Sequence, residues 1–179
     1  MATDFVYGLL PDLLLLALII VLMLLEMLRA DPRWARVAFV TVAVAALAVL
    51  ADQLHGGFAA ELIKHEVVID SFAVLGKVVL LLCGLGVALG FGAARGYKFW
   101  LLVAASTLGG MLMVASAGFA TLFLGIELLS LPAFALIVHG QGRSAASEGA
   151  FKYLVLSSVA SALVLFGISI AYGLSGTLL

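Results

Sequence analysis

Apolar residues fill this chain in long unbroken blocks, and polar residues are confined to the short gaps between them. Residues 11–28, 37–54, 69–92, 97–116, 119–139 and 148–172 form six such blocks. A helix rising about 1.5 Å per residue crosses a hydrocarbon layer of about 30 Å in roughly 20 residues, so each block predicts one membrane span. Stretches such as Leu13 to Leu25 lack the alternation of a membrane β-strand. Backbone groups in lipid must also find partners within their own segment. The expected fold is therefore all-α, a polytopic bundle of six spans forming a single transmembrane domain over residues 1–179.

The gaps carry the charges and turn formers: Arg29-Ala30-Asp31-Pro32-Arg33, Asp52 to Glu66, Ala93 to Gly96, Ala117-Gly118 and Gly140 to Ser144. Loops after the first, third and fifth spans hold Arg29, Arg33, Arg36, Arg95, Lys98 and Arg143, whereas the opposite side holds only Lys64. Lys and Arg accumulate on the cytoplasmic side of membrane proteins. The odd loops are thus expected in the cytoplasm and both termini on the outer side of the membrane. The N-terminal stretch from Met1 to Asp12 carries Asp4 and Asp12 and no basic residue. That is the wrong charge for a cleaved signal peptide, so the first helix is expected to be retained.

Composition sharpens the class. Apolar side chains make up 65% of the 179 residues and charged ones 11%, with a mean hydropathy of +1.31. A soluble domain cannot hide so many apolar side chains in one core. Nine basic against ten acidic residues give a net charge of −1, which leaves no electrostatic footprint for nucleic acid. The single cysteine, Cys83, rules out an intrachain disulfide. Gly84-Leu85-Gly86-Val87-Ala88-Leu89-Gly90 lies inside an apolar span with no strand before it, so it reads as a helix-packing face rather than a dinucleotide loop. No cysteine–histidine cluster, phosphate loop or paired nucleophile and base is present, and the chain is expected to carry no cofactor of its own.

Three charged residues fall inside the spans, where ionisable groups are costly and mark function by default. Glu127 sits near the middle of the fifth block in Gly125-Ile126-Glu127-Leu128-Leu129-Ser130-Leu131-Pro132, too deep to snorkel. A carboxyl held between burial and a neighbouring cation or water can take up and release a proton. The plainer alternative is a carboxyl paired for packing. Pro132 frees the carbonyl of Leu128 and predicts a kink beside the carboxyl, with Ser130 available to satisfy a freed group. Lys152 lies four residues after Glu148, which fits an ordinary helical ion pair as well as a functional cation. Lys77 shares a helix face with Asp70, seven residues earlier, and reads as a relay group, a structural ion pair or a snorkelling ammonium. His139 closes the fifth span three turns beyond Glu127 and is a possible proton relay. His55 and His65 read as interfacial. No two histidines have metal-ligand spacing.

Two stretches carry a family resemblance. They are Lys98-Phe99-Trp100 through Phe119-Ala120-Thr121-Leu122-Phe123-Leu124-Gly125-Ile126-Glu127-Leu128-Leu129-Ser130-Leu131-Pro132, and Glu148-Gly149-Ala150-Phe151-Lys152-Tyr153 through Tyr172-Gly173-Leu174-Ser175-Gly176-Thr177. They resemble the antiporter-like, proton-pumping membrane subunits of bacterial respiratory complex I (NADH-quinone oxidoreductase), the subunit N branch in particular. The resemblance implies a membrane-arm subunit that moves protons while quinone is reduced elsewhere. NAD, FMN, iron–sulfur clusters and quinone are then expected in other subunits. Its implied neighbours are other antiporter-like and small membrane subunits, together with the lipid bilayer. Glu127 matches the family's fifth-helix glutamate, whose lysine partner belongs to a seventh helix, and Lys152 matches a sixth-helix lysine. Lys77 matches no core element. Family members are more than twice as long and contain two inverted repeats, a transporter pattern. This chain ends after its sixth span, so the partner of Glu127 is expected from outside it. The competing readings are a subunit of a cation/proton antiporter or membrane-bound hydrogenase, and a purely structural subunit in which Glu127 only holds helices together.

Overall fold

The computed structural model describes residues 2–28, 31, 33–63, 66–91, 96–139 and 144–177. Arg29, Lys64, His65, Arg95 and Arg143 lie outside the described residues. Among the described residues, six helices and one hairpin follow in order: α1 Ala2–Met27, α2 Arg33–His55, β1 Ala60–Ile63, β2 Val67–Ile69, α3 Ser71–Gly90, α4 Tyr97–Val114, α5 Phe119–His139 and α6 Ser144–Ser175. Each helix contains a stretch long and apolar enough to cross a membrane.

The fold is mostly helical rather than all-α. The segment expected as a loop between α2 and α3 holds an antiparallel pair, with Ala60 opposite Ile69 and Glu61 opposite Val68. Gly57, at φ 60°, turns the chain out of α2 towards it, a conformation that glycine adopts without steric cost. Ile69 therefore ends a strand instead of opening a helix. Asp70 opens α3 by accepting a hydrogen bond from the Ala73 N–H at 2.7 Å, the usual work of an N-cap aspartate.

The hairpin is tied to the turn between α4 and α5. The Val68 N–H donates to the Ala115 carbonyl at 2.9 Å, and the Ala117 N–H donates to the Glu66 carbonyl at 2.8 Å. The Glu66 carboxylate also accepts from the Thr121 hydroxyl at 2.6 Å and from its N–H at 3.3 Å. A carboxylate thus sits at the N-terminus of α5, where free N–H groups and the helix dipole favour negative charge.

Helix α1 starts at Ala2 and runs through Pro11, which the sequence alone suggests as its beginning. Proline lacks the N–H that would bond the carbonyl four residues back, that of Tyr7. The buried Gln53 side chain of α2 supplies the missing donor at 2.6 Å.

Helix α4 is the hub and packs against α1, α3 and α5. Trp100, Ala104 and Met111 on it are fully buried, and the Trp100 ring lies 5.4 Å from that of Phe39 on α2. Ala35, Phe39, Ala43, Ala46 and Leu50 form the inward face of α2, at the three-and-four spacing of one helix side. Helix α6 packs along α5, and most of its described side chains remain exposed.

Candidate functional site

Close backbone packing between α4 and α5 sets the position of Glu127. A side chain at Gly109 would put its Cβ 2.8 Å from the Leu128 carbonyl oxygen, and one at Gly125 would meet the Met113 backbone nitrogen at 2.8 Å. The two glycines let the helix axes approach as neighbouring spans do at small residues. Gly125, Ser130 and Pro132 are buried on this face. Glu127 follows Gly125 by two residues, or about 200° of helix rotation, so its side chain turns away from α4 towards α6. There it is half-buried, and its carboxylate accepts a hydrogen bond from the Ser161 hydroxyl. Along α5 it stands about 12 Å from the first residue and about 18 Å from the last, so the carboxyl is close to the middle and somewhat nearer the Phe119 end than the His139 end.

Pro132 lies inside α5. Ser130 does not cover the Leu128 carbonyl it frees; the Ser130 hydroxyl donates instead to the Glu127 carbonyl at 3.4 Å. The freed carbonyl faces Gly109, and from α4 Ser106 donates to the neighbouring Leu129 carbonyl at 3.2 Å.

Lys152 does not reach Glu127. Its ammonium bonds Glu148 at 2.6 Å, with both side chains about two-thirds exposed. On α6 it is nine residues from Ser161, which is about 13 Å along the axis and about half a turn around it.

Lys77 is fully buried, but its partner is Asp12 of α1 at 2.5 Å, not Asp70, which caps α3. Sequence reasoning missed Asp12 because Pro11 reads as a helix start, which leaves the aspartate at a membrane edge. The readable signal was an acid followed directly by an unbroken leucine run. Nearby, the Tyr7 hydroxyl donates to Asp52.

His139 is exposed in the last turn of α5. It borders an open groove of about 510 Å³ together with Glu26, Lys98, Leu101, Phe134 and Val138. Glu26 and Lys98 are 3.5 Å apart, so α1 contributes an acid to the same groove, which the spacing along one helix does not reveal. Among the described residues, no group of three or more His, Cys, Asp or Glu side chains comes together to hold a metal.

Residues 116–179 match the family described as "NADH:quinone oxidoreductase/Mrp antiporter, TM", a stretch that includes Glu127, Lys152 and Ser161. NADH-quinone oxidoreductase subunit N of Pelobacter propionicus is 51% identical over 180 residues, covering 99% of this chain and 39% of the relative. A chain of respiratory complex I from Thermus thermophilus with bound aureothin superposes with a TM-score of 0.85 at 26% identity, over 94% of this chain and 38% of that one. A chain of the Mrp complex from Dietzia sp. DQ12-45-1b shares the fold, with a TM-score of 0.79 at 18% identity over 99% of this chain and 36% of that one.

Six apolar helices and a carboxylate inside the fifth define a multi-pass, antiporter-like membrane subunit. Within that class the chain is similar, over nearly all of its own length, to NADH-quinone oxidoreductase subunit N. It spans less than two-fifths of the length of these relatives.

Proposed function

We propose that this chain is part of the membrane arm of a proton-translocating NADH-quinone oxidoreductase and contributes a stretch of its proton path. The single observation that carries this reading is Glu127. It is a carboxylate deep in an apolar span, beside a proline, turned away from the packed α4 face and hydrogen-bonded to a neighbouring helix. Such a group does not serve solubility, and its cost is sustained only where a charge or a proton is needed.

In this reading Glu127 takes up and releases the proton. Pro132 loosens the helix next to it, and His139 serves as a relay at the far end of α5. Lys152 supplies a cation near the start of α6. For Lys77 the closed pair with Asp12 supports a structural role. The odd loops lie in the cytoplasm and both termini outside, in the bacterial inner membrane. Other membrane subunits flank the chain and complete the site of Glu127. NAD, FMN, iron–sulfur clusters and quinone are held by other subunits of the complex.

Glu127→Gln keeps the shape and the hydrogen bonding but removes the titrating proton. In the assembled complex this variant is expected to leave subunit composition intact and to lower NADH-driven proton pumping into membrane vesicles about tenfold or more, in keeping with loss of a general acid–base group. Normal pumping with Gln at 127 would remove the assigned role. Lys152→Ala is expected to give a milder loss in the same assay, and an unchanged rate would return Lys152 to its surface pair with Glu148.

A further inference from the structure

We infer that Ser161 is a positioning residue for Glu127, holding the carboxyl in place both when it is charged and when it is protonated. This rests on the proton-carrying role proposed for Glu127.

Ser161 lies on α6, half-buried against α5, and its hydroxyl donates to the Glu127 carboxylate. A hydroxyl is one donor and two acceptor positions on a freely turning bond. That suits it to a neighbour that changes from acceptor to donor. When Glu127 is ionised, Ser161 gives its proton to the carboxylate. When Glu127 is protonated, the carboxylic O–H donates to the Ser161 oxygen. The serine proton is then free to turn to another acceptor, such as the carbonyl four residues back that helical serines commonly use. Other hydroxyls in the structure already adopt this second arrangement. Ser158 donates to Leu154 and Ser175 to Ala171, each at 2.8 Å, and on α4 Thr107 donates to Val103 at 2.8 Å. One hydroxyl can therefore bond the carboxyl in both of its states. Alanine offers neither bond, and a partly buried carboxyl without its donor loses its fixed position.

The test uses the assembled complex with Ser161→Ala, Ser161→Thr and Ser161→Cys, read by NADH-driven pumping and by infrared difference spectroscopy of the carboxyl C=O stretch. The Glu127 band is identified by its disappearance in Glu127→Gln. Ser161→Ala is expected to lower pumping about tenfold, the effect of losing one hydrogen bond to a charged group, and to move the Glu127 band. Ser161→Thr, which keeps the hydroxyl, is expected to restore both. If the alanine variant fails to assemble, Ser161→Cys decides, because it keeps the volume and replaces the hydroxyl by a weak donor. Wild-type pumping with an unmoved band in the alanine or cysteine variant overturns the inference, as does a threonine variant as impaired as alanine. If pumping survives Glu127→Gln, the function assigned to Glu127 falls instead, and that result is separable because it needs no change at Ser161.

Discussion

Lys77 of α3 and Asp12 of α1 form an ion pair 2.5 Å long, with the lysine 1% and the aspartate 14% exposed. The pair joins two spans that are far apart in sequence. Taking two charges out of water is costly, and the cost is offset only while both are present. Lys77→Met or Asp12→Asn alone is therefore expected to destabilise the subunit by about 3–5 kcal/mol. The double variant is expected to recover most of that loss. Thermal midpoints of the purified complex in mild detergent, compared across the four forms, check this. Two single losses that simply add in the double variant would mean that the residues do not act as a pair.

Gly109 admits the backbone of α5, and Gly86 lies against open space. Gly109→Ala is expected to force α4 and α5 apart and to cost about 1–3 kcal/mol, the range for overpacking. Gly86→Ala is expected to be neutral or slightly stabilising through helix propensity. The amount of each variant retained in membranes, set against wild type, distinguishes the two. Equal tolerance at both positions would contradict the close approach of α4 and α5.

Gln53 replaces the backbone donor that Pro11 lacks. Gln53→Leu leaves the Tyr7 carbonyl without that donor and is expected to cost about 1–3 kcal/mol. Pro11→Ala restores a backbone N–H four residues after Tyr7, so adding it to Gln53→Leu is expected to return part of the stability. Melting of the single and double variants measures the rescue. A double variant less stable than Gln53→Leu alone would show that the glutamine serves another contact.

Six spans were readable from the apolar blocks because lipid imposes length and composition on each helix separately. Glu127 was readable for the same reason, since a carboxylate in such a block has no place to hide. The pair between Glu148 and Lys152 follows from helical spacing alone. What escaped the sequence depends on neighbours from other elements. Spacing along α3 proposed Asp70 for Lys77, yet the partner came from α1. Ser161 is 34 residues from Glu127, and no periodicity relates two helices before their packing is known. The hairpin escaped because its strands have only four and three residues, too few for an alternating pattern to stand out from the flanking apolar spans.

The carboxylate of Glu66 holds the first turn of α5, and the strand that follows it is hydrogen-bonded to the end of α4. The hairpin is thus fastened to the helix that bears Glu127, on the end nearer to it. Glu127 therefore stands on a helix whose first turn, about 12 Å away along the axis, is anchored by a segment more than fifty residues earlier in the chain.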